Sequence, residues 1–238
     1  FGFMPTAETE ARVIGKYITE KHTGKEFIIW YPENSVYQRA VKALTKELYS
    51  VSAKLLPGKA GRLSAEWQLI RRNNPDFLVV LGNYTDVMNF LKFSPQINIP
   101  MLTGHALADS RLPEWLGQKV SERVRVLTAY PLKIETEHPG QILNKLILSE
   151  YAPNLALNRW TLYGHAVAEL MVEVLNRTGR SLSRQKAVSA AESITKWQGK
   201  LLPPVYLDSR NHLALTTFRV SRIKYGRVSH LSGWIDGK

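Results

Sequence analysis

The chain has 238 residues, 44% of them apolar and 10% aromatic, which is enough to bury a full core and argues against disorder. No apolar run approaches the roughly 20 residues of a membrane span, and the absence of cysteine excludes disulfides, thiolate metal sites and a cysteine nucleophile. The net charge of +12 is spread out, with 17 Lys and Arg against 12 acids in residues 1–125 and 15 against 8 in the remainder.

Along the chain, Ala11, Ile14, Tyr17 and Ile18 recur at helical spacing, and Gly24 closes that element before the apolar run Phe27 to Tyr31. After the turn Pro32-Glu33-Asn34-Ser35, the Ser35/Gln38 pair has capping-box spacing, and Tyr37, Ala40, Val41, Leu44 and Leu48 form the buried stripe of a second helix. Tyr49, Val51, Ala53 and Leu55 alternate as a strand, residues 57–61 read as a loop, and Trp67, Leu69 and Ile70 lie on a helix stopped by Asn73-Asn74-Pro75. The run Phe77 to Leu81 predicts a second strand buried on both faces, Val87 to Phe93 a helix, and Pro100 to Thr103 a short strand. Repeated helix–strand units predict an open α/β sheet with its ligand beyond the carboxyl ends of the strands. The lip of that crevice is then Pro32 to Tyr37, Asn83 to Asp86 and Thr103 to His105.

From Ser121 the pattern changes. Val124, Val126 and Leu127 suggest a strand that leads through Tyr130-Pro131 into long helical stretches. One carries Trp160, Tyr163, Val167, Leu170, Met171 and Val174 as a core-like stripe, and another begins at Ser183 and runs toward Trp197. Strand patterns return through Tyr206, Phe218 to Ile223 and Val228 to Ile235, with Gly226 at a hairpin turn. The densest basic stretch, Arg219, Arg222, Lys224 and Arg227, lacks the aromatic ladder of a single-strand binder and reads as a protected sheet edge, so no nucleic-acid partner is expected.

The ordered landmarks Pro5-Thr6, Ile28 to Ser35, Asn74-Pro75-Asp76 before Phe77 to Gly82, Pro100 to Gly104, Tyr163-Gly164, Val172 to Gly179, Leu182 to Arg184, Pro203 to Val205 and His212 resemble a family. It is the type I periplasmic solute-binding proteins of branched-chain amino-acid ABC transporters. The resemblance implies an α/β fold with open, mostly parallel sheets flanked by helices, in two lobes of which the first is incomplete. Residues 1–125 would form the second ligand-binding lobe, 126–200 the remaining helices of the first, and 201–238 a hinge crossing and C-terminal strands. That remnant of lobe one would leave apolar helix faces uncovered, so either the chain is a fragment or a second chain completes it. The resemblance further implies an extracytoplasmic location, hinge closure on a small solute, and delivery to membrane permease subunits, without a cofactor. A ligand-sensing receptor of the same fold is the related alternative, and a small-molecule enzyme on an open α/β sheet the distant one.

Carried onto this sequence, the lips nominate Tyr37, Asn83, Tyr84, Thr85 and His105 as ligand-binding residues. Val36-Tyr37 stands where the family has a Tyr-Gly pair, and by its helical spacing Tyr37 is read equally as core; the binding reading is favoured for Asn83-Tyr84-Thr85, although Thr85-Asp86 would also serve to start the following helix. Amino-acid-binding members place an acid at the third lip, where this chain has His105, which cannot serve as the counter-ion of an amine. The expected ligand is therefore a carboxylate or an amide rather than a simple α-amino acid. Neither catalysis nor a metal is expected. His165 and Glu169 are four apart but lack a third ligand and the HExxH pattern, and no nucleophile elbow, P-loop or dinucleotide-binding turn is present.

Overall fold

In the computed structural model, which describes residues 1–49, 51–59, 61–93 and 98–238, the chain divides into two units. One comprises Thr6–Thr128 with Phe218–Lys238, the other Phe1–Pro5 with Ala129–Thr217. The division after Thr128 differs from the expected break at 125 because β5, Val124–Thr128, pairs with strands on both of its sides.

The first unit is a mixed α/β sheet. Helix α1 spans Ala7–Lys21 and is capped by the Thr6 side chain, which accepts from the Thr9 amide. It buries Ala11, Ile14, Tyr17 and Ile18, as the spacing predicts. Strand β1 (Glu26–Pro32) is followed by α2 (Ser35–Lys46), β2 (Ser52–Gly58), α3 (Leu63–Asn73), β3 (Phe77–Val80), α4 (Tyr84–Lys92) and β4 (Met101–Thr103). Short helices α5 (Leu112–Leu116) and α6 (Gln118–Ser121) precede β5. Strands β6 (Thr217–Lys224), β7 (Arg227–His230) and β8 (Ile235–Asp236) close the unit.

The strand order is β2-β1-β3-β4-β5-β6-β7, with β8 on β6. Strands β1 to β5 pair in parallel, and β6 and β7 antiparallel. Central parallel strands must be apolar on both faces, and Ile28, Ile29, Leu78, Val79, Val80 and Leu102 are accordingly buried.

Several local expectations are corrected. Asn34, not Ser35, caps α2, because its side chain accepts from the amides of Val36 and Tyr37. Pro57 and Gly58 lie in β2 rather than in a loop. An edge strand tolerates a proline whose missing N–H faces away from the ladder, while Ala60 of that expected loop is outside the described residues. The stretch Val228 to Ile235 is two short strands, β7 and β8, after a hairpin turn with positive φ at Tyr225 and Gly226.

The second unit holds helices α7 (Pro139–Tyr151), α8 (Arg159–Thr178) and α9 (Arg184–Glu192). Ser183 caps α9 as predicted, but the helix stops at Glu192, and Trp197 instead bridges Val205. Tyr206 lies beside such bridges, not in a strand. Residues 1–5 join this unit through a parallel bridge between Gly2 and Leu213. The expected core stripe of α8 is only partly covered: Tyr163, Val167, Leu170 and Val174 are half-buried, but Trp160 is 64% exposed and Met171 55%, and the adjacent Val172 and Leu175 are exposed as well. Among the described residues of this unit before β6, only isolated β-bridges accompany these helices. An apolar cavity of about 340 Å³ opens between α8, α9 and the N-terminal residues, lined by Phe3, Val167, Met171, Val174 and Val188.

Candidate functional site

Parallel order sends the chain out of β1, β3 and β4 at one rim of the sheet, and all five nominated residues lie just beyond those ends. The N-terminus of α1 reaches the same rim, because α1 runs down to Lys21 before β1 starts back up.

His105 is the most constrained of the five. It opens a short 3-10 turn after Gly104, is 8% exposed, and its Nδ1 pairs with Oε1 of Glu10. A carboxylate can only accept, so the shared proton sits on the imidazole side. Gly104 leaves room for this pair, since a Cβ there would run into the Glu10 carboxylate. The other ring nitrogen, Nε2, is buried with no hydrogen-bond partner among the described residues, an arrangement that a buried polar atom rarely keeps without a ligand or water.

Tyr37 lies on the first turn of α2, partly buried. Its phenol is pushed up to about 12, first by burial and then by the negative charges of Asp86 and Glu10. Tyr37, Glu10, Asp86 and His105 thus form one polar cluster, contributed by three different lips and by α1. A raised phenol pKa favours the protonated ring in the fold. Its contribution to stability is complete below the ordinary value near 10 and is lost as pH rises through about 12. Tyr37→Phe should therefore flatten the alkaline decline in unfolding free energy, checked by urea melts alongside an ultraviolet phenolate titration.

Asn83 and Asp86 close a capping box on α4: the Asp86 amide donates to Asn83 Oδ1 at 3.0 Å and the Asn83 amide to Asp86 Oδ2 at 3.2 Å. Asn83, not Thr85, is the cap. Asn83→Ala should cost about 1 kcal/mol of stability, measured by denaturation without ligand. A cost near zero would show that the cap is dispensable.

Tyr84 and Thr85 are exposed on the first turn of α4. Tyr84 meets Trp115 edge-on at 5.5 Å, and Arg111 lies over the same indole at 4.9 Å while holding the buried Asp109 carboxylate. Of the five nominated residues, Tyr37 and His105 therefore belong to a polar group around Glu10, Asn83 joins it through Asp86, Tyr84 belongs to an aromatic group with Trp115, and Thr85 stands exposed beside Tyr84. Glu10, Asp86 and Trp115 were not nominated from the sequence. Asp86 lay within the predicted lip, but Glu10 meets His105 across 95 positions and Tyr84 meets Trp115 from another element, so no local pattern signals either contact.

His165 and Glu169 stand 3.8 Å apart on α8, and Glu169 accepts from the amides of Lys200 and Leu201. That pair staples a loop to a helix. Burial holds His165 below the usual histidine range. No group of three metal-ligating side chains occurs among the described residues.

A mostly parallel α/β sheet with polar and aromatic side chains gathered just beyond the carboxyl ends of its parallel strands has the architecture of the open-sheet class, whose ligands bind at that edge. The family model "Periplasmic binding protein" matches residues 1–227, and the chain belongs to that family. A search of curated protein sequences returns no match. Among solved structures, a fatty acid ABC transporter substrate-binding protein from Thermomonospora curvata superposes with a TM-score of 0.75 at 14% identity, over 98% of this chain and 64% of that one. A branched-chain amino acid ABC transporter protein from Thermus thermophilus with bound valine gives 0.74 at 15%, over 98% and 67%. An extracellular ligand-binding receptor from Verminephrobacter eiseniae gives 0.77 at 12%, over 94% and 65%. At these identities the likeness is one of fold, and the chain spans about two thirds of each neighbour's length.

Proposed function

We propose that the protein is the extracytoplasmic solute-binding component of an ABC transporter, taking a small carboxylate or amide at the rim of β1, β3 and β4 and delivering it to permease subunits in the membrane. The observation that carries this reading is His105, buried at the end of β4 with Nδ1 engaged and Nε2 without a partner. As an imidazolium, Nε2 donates to a carboxylate or amide oxygen; as the neutral ring it accepts an amide N–H. The acid nearest the third lip, Glu10, is engaged by the imidazole instead of standing out as a counter-ion for an ammonium, which supports a ligand other than a simple α-amino acid. Tyr37 supplies a protonated hydroxyl, and Tyr84 with Trp115 an aromatic wall. Asn83 and Thr85 border the solute from the α4 end. Hinge closure follows from a higher affinity of the solute for the shut state and needs no covalent step.

The helices of residues 129–217 keep exposed apolar faces, and we assign their cover to further lobe-one sequence, on this chain or a second one. No helix among the described residues is long and apolar enough to cross a membrane. A sensor domain of the same fold is the second reading, favoured by the likeness to the extracellular receptor.

A thermal-shift screen against amino acids, aliphatic and aromatic acids and amides tests the proposal. A carboxylate or amide should raise the melting temperature and be retained stoichiometrically without turnover, and His105→Ala should abolish the shift. Tight leucine binding that survives His105→Ala would refute the ligand assignment.

A further inference from the structure

The amino-end pole of the same sheet, opposite the rim, carries a charge arrangement that the solute reading does not use. Arg125 of β5 and Arg222 of β6 are direct register partners on adjacent antiparallel strands. Like charges placed directly opposite destabilise a sheet, and both side chains are half-buried. Neither forms a salt bridge among the described residues, and Nε of Arg222 is buried without a hydrogen-bond partner.

Apart from Arg222, the groups that contact the Arg125 guanidinium are uncharged. Its guanidinium lies 4.6 Å over the Phe77 ring, beside the Tyr17 phenol, and 3.1 Å from Nε2 of His22. Arginine can only donate, so Nε2 of His22 accepts and the imidazole is uncharged. In keeping with this, burial and then the charges of Arg125 and Lys25 hold His22 below the usual histidine range. Acids at this pole have partners of their own: Glu20 pairs with Lys21, Asp76 with Lys25, and Glu122, three positions before Arg125, accepts from the Gln118 side chain. Helix-dipole complementarity accounts for Lys21 at the end of α1. It does not account for two facing arginines on strands.

We propose that Tyr17, His22, Arg125 and Arg222 form a second binding site, for a free tetrahedral oxyanion of the phosphate or sulfate class. Two guanidinium forks match such an anion in charge and in hydrogen-bond geometry. Phe77 and Tyr17 hold one fork in place, and the anion supplies the missing acceptors and cancels the cross-strand repulsion.

The test is calorimetric titration of the protein with inorganic phosphate, at ionic strength matched with chloride, in wild type, Arg222→Gln, Arg125→Gln and the exposed-hairpin variant Lys224→Gln/Arg227→Gln. Saturable binding of phosphate is expected, weakened about tenfold or more in either single arginine variant and unchanged in the hairpin variant. Arg125→Gln gives the same reading should Arg222→Gln fail to fold. A wild type without saturable binding overturns the site, as does equal affinity in the arginine variants or an equal loss in the hairpin variant. Binding to phosphatidylglycerol vesicles with no response to inorganic phosphate also overturns it, since the site would then be a membrane-facing surface. Rim substitutions such as His105→Ala should leave phosphate binding intact, so this site stands or falls independently of the solute reading.

Discussion

Phe90→Ala should lower the unfolding free energy by about 3–5 kcal/mol, one of the largest losses expected of a single truncation. The Phe90 ring is fully buried on α4 and lies 4.4 Å from Trp30 of β1 and 4.5 Å from Trp67 of α3. All three elements meet beneath the rim, so the cavity would open where sheet and helices converge. Collapse is restricted because both indoles are held at their polar ends. Trp30 Nε1 donates to the buried Glu66 carboxylate at 2.7 Å, and Trp67 Nε1 donates to the Phe90 carbonyl at 3.1 Å. The second of these bonds uses the backbone and survives the substitution, so the indole cannot swing freely into the space. Urea titration followed by far-ultraviolet circular dichroism checks the result. A midpoint change equivalent to less than about 1 kcal/mol would mean that the helices close over the gap.

A double-mutant cycle on Glu10 and His105 should give a coupling energy of about 1–3 kcal/mol. The two side chains are 17% and 10% exposed, so the attraction is screened far less than at the surface. Either single truncation leaves its partner buried and incompletely paired, and each should cost more than the pair is worth in isolation. The neighbouring Arg39–Glu8 bridge provides the contrast. It closes at 2.8 Å, yet the Arg39 side chain is 60% exposed, and its cycle should return about 0–1 kcal/mol. Solute affinity gives the second readout. Glu10→Ala should weaken binding even though Glu10 lies outside the predicted lips, because it fixes which imidazole nitrogen faces the ligand. Unchanged affinity alongside a large stability loss would make Glu10 a packing residue only.

Much of the sheet was legible because its signals are local. The runs Phe27 to Tyr31 and Phe77 to Leu81 are apolar over lengths too short for helices, and the crevice at their carboxyl ends follows from the parallel order they imply. Cap positions were less secure, since Asn34 and Ser35 both have suitable side chains and only the backbone geometry selects Asn34. The α8 stripe shows the converse. Trp160, Tyr163, Val167 and Met171 have the spacing of a buried face, yet Trp160 and Met171 are exposed, since periodicity records that a face is apolar without recording whether this chain supplies anything to cover it.

The residues alone were sufficient for the fold class and the family, because hydrophobic period, turn chemistry and landmark order are read over a few positions at a time. Only the folded chain could pair Glu10 with His105, set Tyr84 against Trp115 and place Arg125 opposite Arg222, since each contact joins segments far apart in order. Charge and burial, the quantities that turn a side chain into a site, arise from those distant neighbours.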